Sequence, residues 1–186
     1  MMKTFRHYMI NEMLDGVYSY SSTQINLPKD LAKEVTSWGK KNLKDEDIYT
    51  DPKDSGLGRE DEIHATILYG IHTAKTDPVK KSLSGEKCFD CTLGKMKKFE
   101  ERDGYDVLYI EIKASGLHRL NKTLQKLPFT SNYPKYTPHV TIAYVKKGRA
   151  DQFLNSEEFA GKKFHIDEIV FSSKEGKKTE IHLEGR

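Results

Sequence analysis

The chain has 186 residues, of which 36% are hydrophobic and 32% charged, and its 31 basic and 28 acidic residues give a formal net charge of +3. This length supports one compact domain and is too short for two ordinary independent domains. The near balance of charge argues against a strongly basic nucleic-acid coat protein, and the supply of Ile, Leu, Val, Tyr and Phe argues against wholesale disorder.

Neither a membrane segment nor a metal-binding motif is visible in the sequence. No stretch approaches the roughly 18 apolar residues that span a bilayer, and the first residues, MMKTFRHYMINEML, lack the uninterrupted apolar run of a signal peptide. Cys88 and Cys91 are the two cysteines, and no second cysteine pair or His-x-x-x-His run completes a zinc site. We therefore expect a cytoplasmic monomer with two reduced thiols, no metal, no cofactor and no membrane partner.

Residues 1–15 are expected to form an N-terminal arm, and residues 16–186 one domain. Hydrophobic periodicity and turn residues then predict a mixed order of strands and helices. The predicted elements of the first half are a strand over 17–27, a helix over 30–42, an exposed acidic loop over 43–62 containing a short turn of helix, a strand over 63–71 and a helix from Thr76. Those of the second half are strands over 87–101 and 106–114, a helix over 115–127, a loop over 128–138, a strand over 139–145, a helix over 150–161 and strands over 164–173 and 178–184.

One short segment occurs twice. HATILYG at 64–70 and HVTIAYV at 139–145 share His, Thr, Ile and Tyr at the same offsets. A single His-x-Thr is a weak motif, but two copies of His-x-Thr-Ile-x-Tyr inside apolar strands are improbable by chance. An internal duplication predicts two lobes, each presenting its copy from a central strand.

The side chains of these two strands alternate between faces, so His64 and Thr66 point the same way, as do His139 and Thr141. An imidazole and a hydroxyl on an apolar face are costly to bury without partners, so this face should border a cleft. If the lobes are related by pseudo-symmetry, the two His-Thr pairs face one another across that cleft.

This constellation suits attack on a phosphate by water or a neighbouring hydroxyl. One neutral histidine takes the proton of the nucleophile, and one protonated histidine gives a proton to the leaving oxygen. Imidazole has a pKa near 6.5, so both forms exist at neutral pH. The threonine hydroxyls would hold the non-bridging phosphate oxygens. The sequence does not distinguish which histidine is the base.

Other candidate residues flank this centre. Tyr18 and Tyr20 lie on a predicted wet strand face where a ring could stack on a base or simply reflect β-propensity. Tyr136 precedes the second motif, where it could line the mouth of the cleft, and Lys146 follows the motif, where it could attract a phosphate.

Tyr69 follows His64 by five residues, and Tyr144 follows His139 by five residues. In a regular strand they have the opposite parity and face away from the cleft, unless a bulge or strand end redirects them. We expect a structural role for both.

The paired motifs HATI and HVTI, 75 residues apart, resemble those of the two-histidine (2H) phosphoesterase superfamily, which includes LigT-like 2′-5′ RNA ligases, cyclic phosphodiesterases and phage anti-CBASS nucleases. The resemblance spans roughly residues 16–183. It implies an α+β bilobal fold, in which two pseudo-symmetric lobes of antiparallel sheet with flanking helices surround a central groove.

The resemblance also implies metal-independent cleavage of a nucleotide or short RNA at a 2′,3′-cyclic phosphate, a 2′-5′ linkage or a 3′-5′ linkage, with cyclic oligonucleotide signals among the substrates of the superfamily. The chain departs from the LigT pattern in lacking an Arg close after the second motif, where Lys146 and Lys147 stand instead. The alternative is a nucleotide- or RNA-binding module that keeps the groove without turnover.

Overall fold

The computed structural model describes residues 20–52, 56–100, 104–131 and 135–185. The predicted arm, residues 1–15, lies outside the described residues. Eight strands and three α-helices form in the described ranges: β1 (Ser21–Asn26), α1 (Lys29–Asn42), β2 (His64–Ile71), α2 (Thr76–Leu83), β3 (Phe89–Glu100), β4 (Tyr105–Lys113), α3 (Ser115–Leu124), β5 (His139–Lys146), β6 (Lys163–Ile166), β7 (Glu168–Ser172) and β8 (Lys178–His182). None of these helices is long and apolar enough to cross a membrane.

The strands form two antiparallel sheets of four strands each. Sheet A has the order β2-β1-β7-β8, and sheet B has the order β5-β4-β3-β6. The expected α+β bilobal fold is thereby confirmed. The motif strands β2 and β5 are each at the edge of their own sheet, not at its centre as expected, and they lie beside one another where the two sheets meet. Each motif is central to the molecule because these two edge strands contact one another, not because its strand is central to a sheet.

The two halves repeat the order strand, helix, motif strand, and each helix packs against the motif strand of the other half. Helix α1 packs on β5, and helix α3 packs on β2. The α1 contact is close, because a Cβ added at Gly39 would lie 3.3 Å from Cγ2 of Ile142. On the other side, the buried Asn121 of α3 donates a hydrogen bond of 2.7 Å to the carbonyl of Ile67. These exchanged contacts hold the lobes together behind the motif strands.

Both motif strands carry a bulge at the isoleucine that follows the threonine. Thr66 pairs with Gln24 and Leu68 with Thr23, so Ile67 has no opposite residue in β1. The same irregularity occurs in β5, where Thr141 and Ala143 pair with consecutive residues of β4 and Ile142 is skipped. An extra residue in one strand reverses the side-chain parity beyond it.

The predicted strand over 164–173 is two strands in different sheets. Strand β6 pairs with β3 in sheet B, and β7 pairs with β1 in sheet A, so the chain passes from one lobe to the other at Asp167. Continuous β-propensity predicts extended backbone but does not show which sheet satisfies its hydrogen bonds.

The predicted helix over 150–161 is wrong. The segment holds a short 3₁₀ turn at Asp151–Phe153, and Asn155 then adopts a φ of +64°, which ends helical geometry. Its backbone instead bonds to β3, since the Asn155 N–H donates to the Met96 carbonyl and the Met96 N–H donates to the Ser156 carbonyl. The hydrogen-bonding needs of an irregular strand outweigh helix propensity here.

The acidic segment over 43–62 is only partly the exposed loop that its composition predicts. It contains the expected short turn at Asp45–Asp47, but Ile48 and Glu60 are buried. Its backbone pairs with the outer edge of β5, where Tyr144 accepts from the Tyr49 N–H and donates to the Gly58 carbonyl. The segment therefore covers an otherwise open sheet edge.

Gly70 generates a prediction about this arrangement. Its φ is +94°, and an added Cβ would lie 1.8 Å from the carbonyl oxygen of Thr130. We expect Gly70→Ala to lower the free energy of unfolding by about 2–4 kcal/mol, measured by urea denaturation. Gly85→Ala is the matched control, because Gly85 also has a positive φ but open space around its Cβ position. The control should cost about 1 kcal/mol, and equal losses in both variants would refute the proposed steric origin.

Candidate active site

A cleft of about 880 Å³ lies where β2 and β5 meet. His64, Thr66, His139 and Thr141 all line it. The structure thus brings together the four residues singled out by the repeated motif, and each is partly exposed toward the cleft. Their roles in chemistry stay predictions.

The two histidines are oriented in the same way. Nδ1 of His64 lies 2.7 Å from the carbonyl oxygen of Glu62, and Nδ1 of His139 lies 2.7 Å from the carbonyl oxygen of Thr137. A carbonyl oxygen can only accept, so each Nδ1 carries the hydrogen. In the neutral ring this leaves the lone pair on Nε2, which can accept a proton and, once protonated, donate it.

His139 differs from His64 in its surroundings. The rings of Phe99 and Tyr109 approach the His139 ring with centroid distances of 4.9 and 5.2 Å, and these two rings stack on one another at 4.2 Å. Burial lowers the pKa of His139 below its ordinary value of 6.5, the hydrogen bond to Thr137 opposes that shift, and the nearby His64 charge lowers the pKa further. His139 is therefore held in its neutral form at neutral pH.

Tyr69 and Tyr144 also line the cleft. The bulges account for this position. Thr66 pairs with Gln24 and Tyr69 pairs with Ser22, and because Gln24 and Ser22 are two residues apart in β1, Thr66 and Tyr69 share one face. The corresponding bulge in β5 turns Tyr144 toward the same side as Thr141. Their position differs from that expected of regular strands, and the repeated Ile-x-Tyr was the sequence signal for it.

Tyr136, expected at the mouth of the cleft, lies in its wall and connects the two lobes. Its hydroxyl donates a hydrogen bond of 3.1 Å to the Thr66 carbonyl. Burial raises the pKa of Tyr136, so the phenol stays protonated and able to donate. The loop that leads into the second motif thereby fixes the strand that carries the first.

The two sides of the cleft differ in chemistry. The sheet B side is mostly aromatic and apolar, with Phe99, Tyr105, Val107 and Tyr144 lining it. The sheet A side is mostly polar, with Tyr20, Ser22, Gln24, Ser172 and Lys178 lining it. Tyr20 stacks on His72 at a centroid distance of 5.4 Å and meets Tyr69 edge-on at 6.0 Å.

Of the two remaining predicted substrate-binding residues, only Lys146 is among the described residues, and it is not brought into the cleft. Lys146 is exposed at the end of β5 and does not line it, and Tyr18 lies outside the described residues. The lysines that do line the cleft, in the part of the chain that the structure describes, are Lys135 and Lys178. Both were missed, because a lysine in a polar loop or at a strand end is indistinguishable in sequence from a solvated one.

Three glutamates of the cleft wall were missed as well, and they are Glu60, Glu62 and Glu100. The first two belong to the acidic segment over 43–62, whose composition indicated solvent exposure. Within the described residues, no three His, Cys, Asp or Glu side chains cluster closely enough to hold a metal ion. Independence from metal remains a prediction to be tested directly.

The aromatic contacts of His139 predict its titration. We expect the His139 ring to titrate below pH 6.5 in the intact protein, and its midpoint to move upward in Phe99→Ala, because loss of the ring admits water. The measurement is the pH dependence of the imidazole NMR signals. Phe153→Ala is the control, since Phe153 packs on Trp38 and not on the histidine. An unchanged His139 midpoint in Phe99→Ala would contradict the burial argument.

Solved structures share this architecture. Escherichia coli LigT in its apo form is 17% identical, with 89% of this chain and 95% of that chain covered and a TM-score of 0.57. TT0787 of Thermus thermophilus is 16% identical, with 89% and 95% covered and a TM-score of 0.56. Usb1 of Kluyveromyces marxianus is 12% identical, with 89% and 98% covered and a TM-score of 0.54. At these identities the likeness establishes the fold.

Sequence comparison gives the family. The chain matches no curated protein, but residues 53–179 match the family model described as anti-CBASS protein Acb1. The match covers more than half of the chain and contains both His-x-Thr motifs and the strands that carry them. The chain belongs to the anti-CBASS protein Acb1 family, within the two-histidine phosphoesterase superfamily.

Proposed function

We propose that this protein is a metal-independent phosphodiesterase that cleaves a nucleotide or short oligonucleotide by acid-base catalysis between His64 and His139. The observation that carries the proposal is the identical orientation of the two rings. Each Nδ1 is occupied by a backbone carbonyl, which leaves each Nε2 for proton transfer in the shared cleft. Two histidines held in this way match the needs of a displacement at phosphorus, in which one oxygen loses a proton while another gains one.

We assign the base to His139 and the acid to His64. Burial against aromatic rings keeps His139 neutral and able to accept a proton. The oxygen of water or of a neighbouring hydroxyl forms a bond to phosphorus, and its proton passes to Nε2 of His139. The bond from phosphorus to the leaving oxygen breaks, and that oxygen takes a proton from Nε2 of protonated His64.

The threonines have a matching role in this proposal. Thr66 and Thr141 share the cleft face with the histidines, and their hydroxyls donate to the non-bridging oxygens as negative charge accumulates on them. Beside them in the sheets lie Gln24, paired with Thr66, and Tyr109, paired with Thr141. The phosphate thus lies between the two lobes.

Relatives support a nucleotide substrate. LigT has been solved with 3′-AMP, with NADP+ and with phosphate, and Usb1 has been solved with uridine monophosphate. Because the family is described as anti-CBASS, we propose a cyclic oligonucleotide signal as the substrate class for this chain. The aromatic side of the cleft suits stacking on a nucleobase.

Substitution of the histidines tests the reaction. We expect His64→Ala and His139→Ala each to lower turnover of cyclic dinucleotides, 2′,3′-cyclic nucleotides or dinucleotides by roughly 100-fold or more, measured in EDTA. His182→Ala is the matched control, because His182 is exposed on β8 and does not line the cleft. Activity that requires a divalent metal, or that survives loss of either histidine, would refute the mechanism. If the wild type binds nucleotides but turns none of them over, the result favours the binding-module alternative.

The leaving group distinguishes the two roles. A nucleoside 3′-(4-nitrophenyl) phosphate releases a weakly basic phenolate that needs no proton from an acid. With this substrate we expect His64→Ala to recover most of its lost rate, and His139→Ala to recover little, because activation of the nucleophile is still required. The measurement is the rate of nitrophenolate release. The opposite pattern would exchange the two roles.

A further inference from the structure

A row of paired residues crosses the whole of sheet A on the side of the cleft. Tyr69 of β2 pairs with Ser22 of β1, Ser22 pairs with Ser172 of β7, and Ser172 pairs with Lys178 of β8. Residues directly opposite one another in antiparallel strands point to the same face. All four line the cleft, and we call them the Lys178 row.

The row ends in a cation at a distance from the two histidines. Three strand spacings of about 4.8 Å place the β8 backbone about 14 Å from that of β2, and the flexible four-carbon stem of the lysine covers part of this distance. The Lys178 ammonium also lies 2.8 Å from both carboxylate oxygens of Glu62, which is two residues before His64. The Lys178 charge therefore lies beside the two histidines and not between them. Its displacement from them is on the scale of the distance between neighbouring phosphates in an oligonucleotide.

The hydroxyl of Ser172 is a second reason to expect that an anion binds at this end of the Lys178 row. Its Oγ is buried, and no hydrogen-bond partner for it is found among the described residues. A buried hydroxyl without a partner is unfavourable, and an anion lying between Ser172 and Lys178 would satisfy it.

The carboxylate of Glu62 can be replaced by such an anion. The side chains of Lys178 and Glu62 are 54% and 56% exposed, and ion pairs this exposed contribute little to stability. The hydrogen bond from Lys178 lowers the pKa of Glu62, so the carboxylate is charged at neutral pH. A phosphate, which offers more acceptor oxygens, competes with it for the same ammonium group.

We propose that Lys178 and Ser172 form a second phosphate-binding position, so that the preferred substrate carries one phosphate between the two histidines and another on the sheet A side of the cleft. This inference rests on the proposed function for the location of the first phosphate. The sheet B side is lined mainly by Phe99, Tyr105, Val107 and Tyr144, which favour a base over a charged group. The substrate therefore lies with a base on sheet B and its additional phosphate on sheet A.

Binding of nucleoside phosphates tests the position without requiring turnover. The dissociation constants of 3′-AMP, 5′-AMP and adenosine 3′,5′-bisphosphate are measured by calorimetry for the wild type and three variants, Lys178→Gln, Lys177→Gln and Glu62→Gln. The readout is the preference of each protein for the bisphosphate over the tighter of the two monophosphates. Lys177→Gln is the matched control, because it removes the same charge from the adjacent exposed lysine, which does not line the cleft.

We expect the wild type to prefer the bisphosphate by about tenfold or more, the scale of a hydrogen bond to a charged group. Lys178→Gln should lose most of that preference and Lys177→Gln should keep it. Glu62→Gln should increase it by roughly two- to fivefold, since the competing carboxylate is gone while the backbone carbonyl that holds His64 remains.

No preference in the wild type, no detectable binding of the bisphosphate, or a preference that survives Lys178→Gln would overturn the second position. An equal loss for all three ligands in Lys178→Gln would also overturn it, since that result would mean that Lys178 only supports the segment before His64. Failure of the proposed reaction is seen separately, as turnover that survives loss of either histidine, and it leaves the binding preference unaffected.

Discussion

Two bulged edge strands, β2 and β5, contact one another at the junction of the two sheets, and the cleft forms around that contact. The edge of a sheet carries backbone groups that need partners, and here the partners of β2 come from the other half of the chain. The Thr66 carbonyl accepts from Tyr136 and the Ile67 carbonyl accepts from Asn121. The backbone N–H and C=O groups on the outer side of β5 form hydrogen bonds with the segment over 43–62. The two motifs can face a common cleft because both strand edges are closed in this way without being joined into one sheet.

The bulges convert this packing into a site. In a regular strand, the histidine and threonine would share one face. The tyrosine, five residues after the histidine, would point to the opposite face, toward the helices. The extra residue leaves Ile67 and Ile142 in the core and returns the tyrosine that follows to the cleft. Because α1 contacts Ile142 and α3 contacts the Ile67 carbonyl, each bulge is held by the helix of the opposite half. The same feature therefore links the lobes and shapes the cleft.

Pseudo-symmetry of the backbone does not extend to the chemistry of the cleft. His139 packs edge-on against the stacked rings of Phe99 and Tyr109, whereas His64 follows a charged segment tied to Lys178. The sheet beside His139 is aromatic, and the sheet beside His64 is polar. The repeat supplies two histidines oriented in the same way, and their different surroundings make the two ends of the cleft chemically distinct.

Local patterns succeeded where the deciding contacts are close in sequence. Hydrophobic periodicity over 30–42 predicted α1, and the alternation of side chains predicted that the histidine and threonine of each motif share a face. Prediction failed at 150–161 and 164–173, because a partner strand far away in the chain determines the conformation there. It also failed for the acidic segment over 43–62, since composition cannot reveal that β5 needs a neighbour.

A repeated His-x-Thr-Ile-x-Tyr is local and improbable by chance, so the order of residues alone was enough to predict the two-lobed class of fold, the resemblance to the 2H phosphoesterases and the four residues that share the cleft. Long-range packing was needed to show that the motif strands contact one another, that Tyr69 and Tyr144 face the cleft, that Lys146 does not, and that Lys178 and Glu62 do. Burial, hydrogen-bond satisfaction and the pKa of a histidine depend on groups from distant parts of the chain, and local sequence patterns do not show which of those groups become neighbours.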